Sequence, residues 1–180
     1  MEALEKEIQQ KFSEFSRQQD PGLIHQALDL VEAAQRDAEP SHAASCRDAL
    51  SASLTFLAEL DQHIDPAWDQ AKDPVRGVPS PVSGVRVYGT GEIDPADIPD
   101  PALRARYIQD LRANKEYRAY YNTQFRLRRI DESAMLFLER FIQRCYTASP
   151  QERAEVDGLL AASSVTAERR NRLRNLVPRG

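Results

Sequence analysis

The fold is decided by residues 100–131, which read DPALRARYIQDLRANKEYRAYYNTQFRLRRID. The stretch opens with Asp100 and Pro101, a helix-capping residue followed by a proline suited to the first helical position. Neither Gly nor Pro occurs again before Pro150. Apolar side chains recur at every fourth position, in the series Leu103, Tyr107, Leu111 and the series Tyr117, Tyr121, Phe125. This spacing predicts a long helix that begins at residue 101.

Apolar positions with helical spacing predict five further helices, at 2–19, 21–38, 42–64, 150–162 and 165–176. The long helix could run on to Thr147, and Asp131-Glu132-Ser133 is the place where it would break, because Asp and Ser compete for backbone hydrogen bonds. We expect one long helix, straight or kinked. The predicted fold class is all-α, a five- or six-helix up-and-down bundle with a long irregular connector.

The connector at residues 65–100 carries most of the prolines and glycines of the chain. Within it, residues 85–88 form the one plausible strand, and Trp68 is the only tryptophan. We expect Trp68 and Val85 or Val87 to hold the connector against the bundle; the alternative is that Trp68 anchors a partner. The predicted division is acidic helices at 1–64, the connector at 65–100, and basic helices at 101–176 that pack on the first set as one domain. Residues 176–180, LVPRG, resemble a thrombin-site remnant of an expression vector.

The charge of the chain is divided unevenly between its two parts. Residues 1–100 hold 8 Lys or Arg and 19 Asp or Glu, whereas residues 101–180 hold 16 and 9, so a net charge of −4 hides −11 and +7. One interpretation is that the two parts pack together and their rim charges complement each other. The other is a basic surface that binds an anionic partner such as single-stranded nucleic acid or an acidic protein. The candidate partner-binding residues are Trp68, Tyr88, Arg104, Arg112, Arg118, Arg126, Arg128 and Arg129.

Candidate chemistry is sparse, and the sequence predicts no catalytic, cofactor or metal residues. His42 and Cys46 have a legal i, i+4 metal spacing, but two ligands do not make a site. His63 lies near a helix end where a carboxylate or the helix dipole can raise its pKa. The aspartates Asp94, Asp97 and Asp100 alternate with prolines and are interpreted as helix caps and turn formers. Cys46 and Cys145 fall on apolar helix faces and are expected to be buried thiols, with a disulfide as the alternative.

Residues 74–131 resemble a segment of uncharacterised bacterial helical proteins, in which a Pro/Gly-rich connector precedes an Asp-Pro-initiated helix. The resemblance is carried by Asp100-Pro101, Leu103-Arg104, Tyr107, Asn114, Tyr121, Gln124 and Leu127-Arg128-Arg129. It implies a bacterial origin and a helical scaffold, and it implies no activity or cofactor. Asn114 and Gln124 interrupt the apolar stripe, and we interpret them as interior amides that fix helix register.

These observations predict a non-enzymatic interaction or scaffold protein that binds a protein partner. The alternatives are an anion-binding module that uses the arginine-rich face of the 101–131 helix, and a small helical enzyme around His63 and the connector aspartates. The narrow stripe Leu4, Ile8, Phe12 and Phe15 could also pair with a second copy of the chain. No apolar run is long enough to span a bilayer, and the N-terminus lacks a signal-peptide core. A cytoplasmic location is favoured, with an exported form whose signal has been removed as the alternative.

Overall fold

A computed structural model describes residues 2–66, 94–146 and 149–176, with backbone alone at 2, 114, 117 and 118. The α-helices are α1 (Glu2–Gln18), α2 (Pro21–Asp37), α3 (Ala43–Asp61), α4 (Pro101–Cys145), α5 (Pro150–Ala162) and α6 (Ala167–Arg174), and a 3-10 helix spans Pro95–Asp97. The all-α prediction is confirmed for these residues, which contain seven helices and no strand. The predicted strand at 85–88 and the packing of Trp68 lie outside the described residues. No helix in the described ranges is both long enough and apolar enough to cross a membrane.

The chain divides into two compact units. The first comprises Met1–Asp65 together with Arg126–Gly180, and the second comprises Pro66–Phe125. Helix α4 begins in the second unit and ends in the first.

Short turns connect the first three helices. Gln19 has a positive φ of 55° and donates its N–H to the carbonyl of Phe15, which ends α1. Asp20 then caps α2, because its carboxylate accepts the N–H of Gly22 at 2.9 Å and Pro21 occupies the first helical position. The chain thus reverses within two residues, and α1 packs against α2.

The core of the first unit combines the apolar faces of all three front helices with the C-terminal part of α4. Ile8, Phe12 and Phe15 of α1 are at most 2% exposed. Phe12 meets Phe56 of α3 edge to face, with ring centroids 5.4 Å apart. Leu127 of α4 belongs to the same cluster. The stripe that could have paired with a second copy is therefore used inside the chain.

A charged cluster joins α3, α4 and α6. The guanidinium of Arg169 contacts Asp61 (Nη2 to Oδ1, 2.5 Å) and Asp131 (Nη1 to Oδ1, 2.7 Å), and the three side chains are 10%, 13% and 19% exposed. Burial alone would lower the pKa of Arg169, but its bonds to the two carboxylates outweigh this effect and raise the pKa. Helix α4 is unbroken at Asp131, so the expectation of one long helix is confirmed, and the Asp131 carboxylate contacts Arg169 instead of competing for the backbone.

The second unit has a small apolar cluster of its own. Ile98 and Tyr107 are 0% and 2% exposed and pack with partly buried leucines of α4. Asp94 accepts the N–H of Ala96, and Asp100 accepts the N–H groups of Ala102 and Leu103. The interpretation of these two aspartates as helix caps is confirmed.

The aromatic side chains of α4 and the residue that follows it point inward only in part. Tyr107, Phe141 and Tyr146 are buried, whereas Tyr120 and Phe125 are 37% and 49% exposed. Side chains project from all sides of a long helix such as α4, so aromatic residues that do not lie on its core face reach solvent.

Candidate partner-binding groove

A groove lies between the last turns of α2 and the C-terminal part of α4, within the first unit. It encloses about 210 Å³. We call it the arginine groove; it is lined by Glu32, Gln35 and Arg36 from α2 and by Phe137, Arg140, Phe141 and Arg144 from α4. Three guanidinium groups, one carboxylate and two aromatic rings thus converge on one concave surface.

Arg144 holds the two helices that form the groove in a fixed position relative to each other. Its Nη2 donates to the carbonyls of Gln35 and Ala38, at the C-terminal end of α2. The last carbonyls of a helix lack partners within the helix, and the negative end of the helix dipole attracts a cation. The guanidinium carbon of Arg144 also lies 5.9 Å from the ring centroid of Phe141, within range for a cation–π contact. Arg144 is therefore bound on both sides.

A buried hydrogen bond holds α2 from behind the groove. Gln35 is 6% exposed and donates from Nε2 to Oγ of Ser53 at 2.9 Å. Ser53 is 2% exposed and donates in turn to the carbonyl of Ala49 at 2.7 Å. A buried hydrogen bond between two polar side chains fixes the relative position of the two helices. The α2 wall of the groove is thus anchored to α3.

Arg36 and Arg140 differ from Arg144 in their contacts within the chain. Neither forms a hydrogen bond or an ion pair with another described residue. Glu32 is the one carboxylate that lines the groove. Burial raises the pKa of Glu32, repulsion from Asp29 adds to this, and Arg36 partly opposes both. The groove therefore carries a net positive charge with two cations available to an anion.

The outward face of α4 continues from the groove. Arg129, Leu136 and Arg140 are spaced i, i+7, i+11 and share one side of the helix, and all three are exposed. Leu136 is 46% exposed. Arg129 pairs with Glu132 at 3.4 Å, but both side chains are about 70% exposed, and such pairs contribute little stability. This face presents an apolar side chain between cations.

Some of the sequence-predicted arginines bind backbone carbonyls in the structure, and others are exposed to solvent. Arg104 donates twice to the carbonyl of Ile98 (3.0 and 2.6 Å), and Arg128 donates to the carbonyl of Asp65 (3.1 Å), so both support the backbone. Arg112 lies exposed in the second unit, and Arg126 and Arg129 lie exposed in the first. Trp68 and Tyr88 lie outside the described residues, as does the side chain of Arg118.

Sequence reasoning missed Arg36, Phe137, Arg140 and Arg144. The i, i+4 spacing of Arg140 and Arg144 after an aromatic residue was a visible signal. Arg36 lies in a different helix, far away in the sequence, and only tertiary packing brings it to α4.

The imidazole ring of His63 packs against two phenylalanines of α1. Its ring stacks on Phe12 (centroids 5.7 Å apart) and meets Phe15 edge to face (5.2 Å). Burial lowers the pKa of His63, and the smaller effect of Glu59 raises it. The predicted rise is therefore wrong, because the two phenylalanines desolvate the imidazolium more than nearby carboxylates stabilise it.

The other candidates have ordinary structural uses. Cys46 and Cys145 are free and buried, which confirms the expectation of buried thiols. Cys46 donates to the carbonyl of Glu39 at 3.3 Å, and His42 contacts the Glu39 carboxylate at 3.0 Å. Within the described ranges, no three His, Cys, Asp or Glu side chains are placed to hold a metal ion. Gln124 is 7% exposed, as its interpretation as an interior amide requires.

A second cavity of about 270 Å³ lies between α1, α3 and the end of α5. Its lining is dominated by hydroxyl and amide groups, and its charged groups are Glu5 and Glu59. The Glu5 carboxylate already accepts the hydroxyl of Ser51 at 2.6 Å. The arginine groove is the better binding candidate because Arg36 and Arg140 form no hydrogen bond with another described residue.

Comparisons of the chain with protein-family models, curated proteins and solved structures found no match. The resemblance to uncharacterised bacterial proteins therefore stays a prediction.

Proposed function

We propose that this chain is a non-enzymatic helical scaffold, an up-and-down bundle that binds a protein partner through α4. The observation that carries the proposal is the surface of α4 at residues 126–144, where an exposed leucine lies between arginines and borders a groove with an aromatic floor. Arginine and aromatic side chains are the groups most enriched in protein interfaces. Arg36 and Arg140 are exposed residues that line the groove, and neither has an ion pair with another described residue to break.

The test is a site-specific crosslink followed by binding measured with purified proteins. Leu136→p-benzoylphenylalanine places a photoreactive group on the proposed face, and Glu7→p-benzoylphenylalanine places one at an exposed position of α1. We expect a discrete protein adduct in the source cells from position 136 and none from position 7. The adducted protein is then purified and titrated with the unmodified chain and with Leu136→Glu. An absent adduct at 136, or equal binding of Leu136→Glu, contradicts the proposal.

The second candidate function is binding of single-stranded nucleic acid, which the exposed Arg112 and Arg126 favour. Phosphate contacts release counterions, so the affinity would fall steeply as salt is raised. Titration with a labelled oligonucleotide at several salt concentrations tests it. Binding that is missing at low salt removes this candidate and leaves the protein-binding proposal standing.

A further inference from the structure

We propose that the arginine groove binds an acidic segment of the protein partner, seating a carboxylate between Arg36 and Arg140 and an apolar side chain against Phe137. This inference rests on the proposed function, and it specifies the chemistry of the partner. In the groove, cations from two helices converge on an aromatic floor.

The charge of the groove selects an anion. Arg36 projects from α2 and Arg140 from α4, and each lacks an internal hydrogen bond or ion pair. A guanidinium presents a planar set of donors that matches the two oxygens of a carboxylate. Two such groups on opposite walls can bind one carboxylate from both sides, whereas a neutral or cationic side chain would leave both unpaired.

The floor of the groove selects an apolar neighbour for that carboxylate. Phe141 is 3% exposed and is held in place by Arg144, whereas Phe137 is half-buried and reaches the groove. Pockets for small organic ligands enclose roughly 300–1,000 Å³. A volume of about 210 Å³ is smaller and suits side chains of a peptide segment.

Hydrogen bonds within the chain hold the walls of the groove in place before a segment binds. Arg144 binds the carbonyl groups at the end of α2, and Gln35 binds Ser53 on the far side. A rigid groove loses little conformational freedom on binding, and this favours affinity.

Glu32 gives the inference a sharp test because it opposes the proposed ligand. Its carboxylate lines the groove beside Arg36 and repels an acidic segment. Removing this charge should therefore strengthen binding, and a damaged fold cannot produce that result. The substitution Glu32→Gln keeps the size of the side chain and deletes the charge.

The experiment titrates the full chain with a short fluorescein-labelled peptide of glutamate and phenylalanine, measured by fluorescence anisotropy. We expect Arg36→Gln and Arg140→Gln each to weaken binding about tenfold, as expected for a charge-assisted hydrogen bond. We expect Glu32→Gln to tighten it roughly two- to fivefold, as expected for a nearby like charge in a partly solvated site. The matched controls Arg172→Gln and Glu7→Gln change the same charges at exposed positions outside the groove, and their affinities should not change.

Parallel titrations use a lysine–phenylalanine peptide, a phosphoserine peptide and a single-stranded oligonucleotide. The inference is overturned if the acidic peptide does not bind, if the groove and control variants behave alike, or if the phosphoserine peptide or the oligonucleotide binds more tightly. It is also overturned if the protein crosslinked at residue 136 binds Arg36→Gln and Arg140→Gln as tightly as the unmodified chain. That last result leaves the proposed function intact, whereas a missing adduct at 136 contradicts the proposed function and, with it, this inference.

Discussion

Replacing Arg169 with methionine removes the cation that joins α3, α4 and α6. Its guanidinium makes three contacts with Asp61, at 2.9, 3.1 and 2.5 Å, and a fourth with Asp131 at 2.7 Å. Methionine retains the apolar stem of the side chain but leaves two carboxylates without their cation. Deleting one partner of a buried ion pair costs about 3–5 kcal/mol, and exposures of 10–19% place this cluster near the lower end, at about 3 kcal/mol.

Arg174→Met on the same helix is the matched control. Arg174 pairs with Asp157 at 3.0 Å, but the two side chains are 47% and 58% exposed. An exposed pair contributes at most about 1 kcal/mol, and we expect a loss of about 0.5 kcal/mol. Comparing the two variants separates the burial of the charge from the mere loss of an arginine in α6.

The assay is urea unfolding followed by circular dichroism. With a slope of roughly 2–3 kcal/mol per molar urea for a chain of this size, Arg169→Met should lower the midpoint by about 1 M. Adding Asp61→Asn and Asp131→Asn should recover most of the loss, because neutral amides tolerate burial without a cation. Equal midpoints for Arg169→Met and Arg174→Met would refute the reasoning, and so would a triple variant that is less stable than Arg169→Met.

Three further predictions concern stability and reactivity. Gly158→Ala in α5 should raise the free energy of unfolding by about 0.5–1 kcal/mol in the same urea assay. A Cβ at this position meets nothing within 4 Å, and Ala favours the helix more than Gly does. A loss of stability contradicts this prediction. The lowered pKa of His63 means that the unfolded chain binds more protons, so stability should fall as pH drops below about 6.5. Substituting His63→Phe should reduce that slope, and an unchanged slope argues against the assignment. Burial and the neighbouring Cys145 raise the pKa of Cys46 to about 11. Iodoacetamide at neutral pH should therefore alkylate Cys46 slowly in the folded chain and readily in urea, and mass spectrometry follows the reaction.

Local patterns predicted the helices well because their signals lie within a few residues of each other. Asp100-Pro101 and the four-residue apolar spacing located the start of α4, and α5 spans the predicted residues 150–162. The one long helix was expected, but the reason that α4 does not break at Asp131 is non-local. That carboxylate contacts Arg169 of α6, and no pattern around residue 131 indicates this partner.

The candidate site was much harder to predict than the fold. Arg36 and Arg140 belong to helices that are far apart in the sequence, and only the packing of α2 on α4 unites them. Arg104 and Arg128 illustrate the converse error, because two arginines in a basic stretch bind backbone carbonyls of their own chain. Composition shows that cations are present, but tertiary structure decides which of them meet solvent.

The two-residue turn at Gln19 and Asp20 has a consequence for the chain as it leaves the ribosome. Helices α1, α2 and α3 meet neighbours in sequence, and contacts between such neighbours form early. At about 5–20 residues per second, the roughly 60 residues between Pro66 and Leu127 take several seconds to translate. Throughout that interval α1, α2 and α3 expose the apolar face that α4 will later cover. We expect ribosomes stalled once α3 has left the exit tunnel to recruit general chaperones, and those from which α4 has emerged to release them.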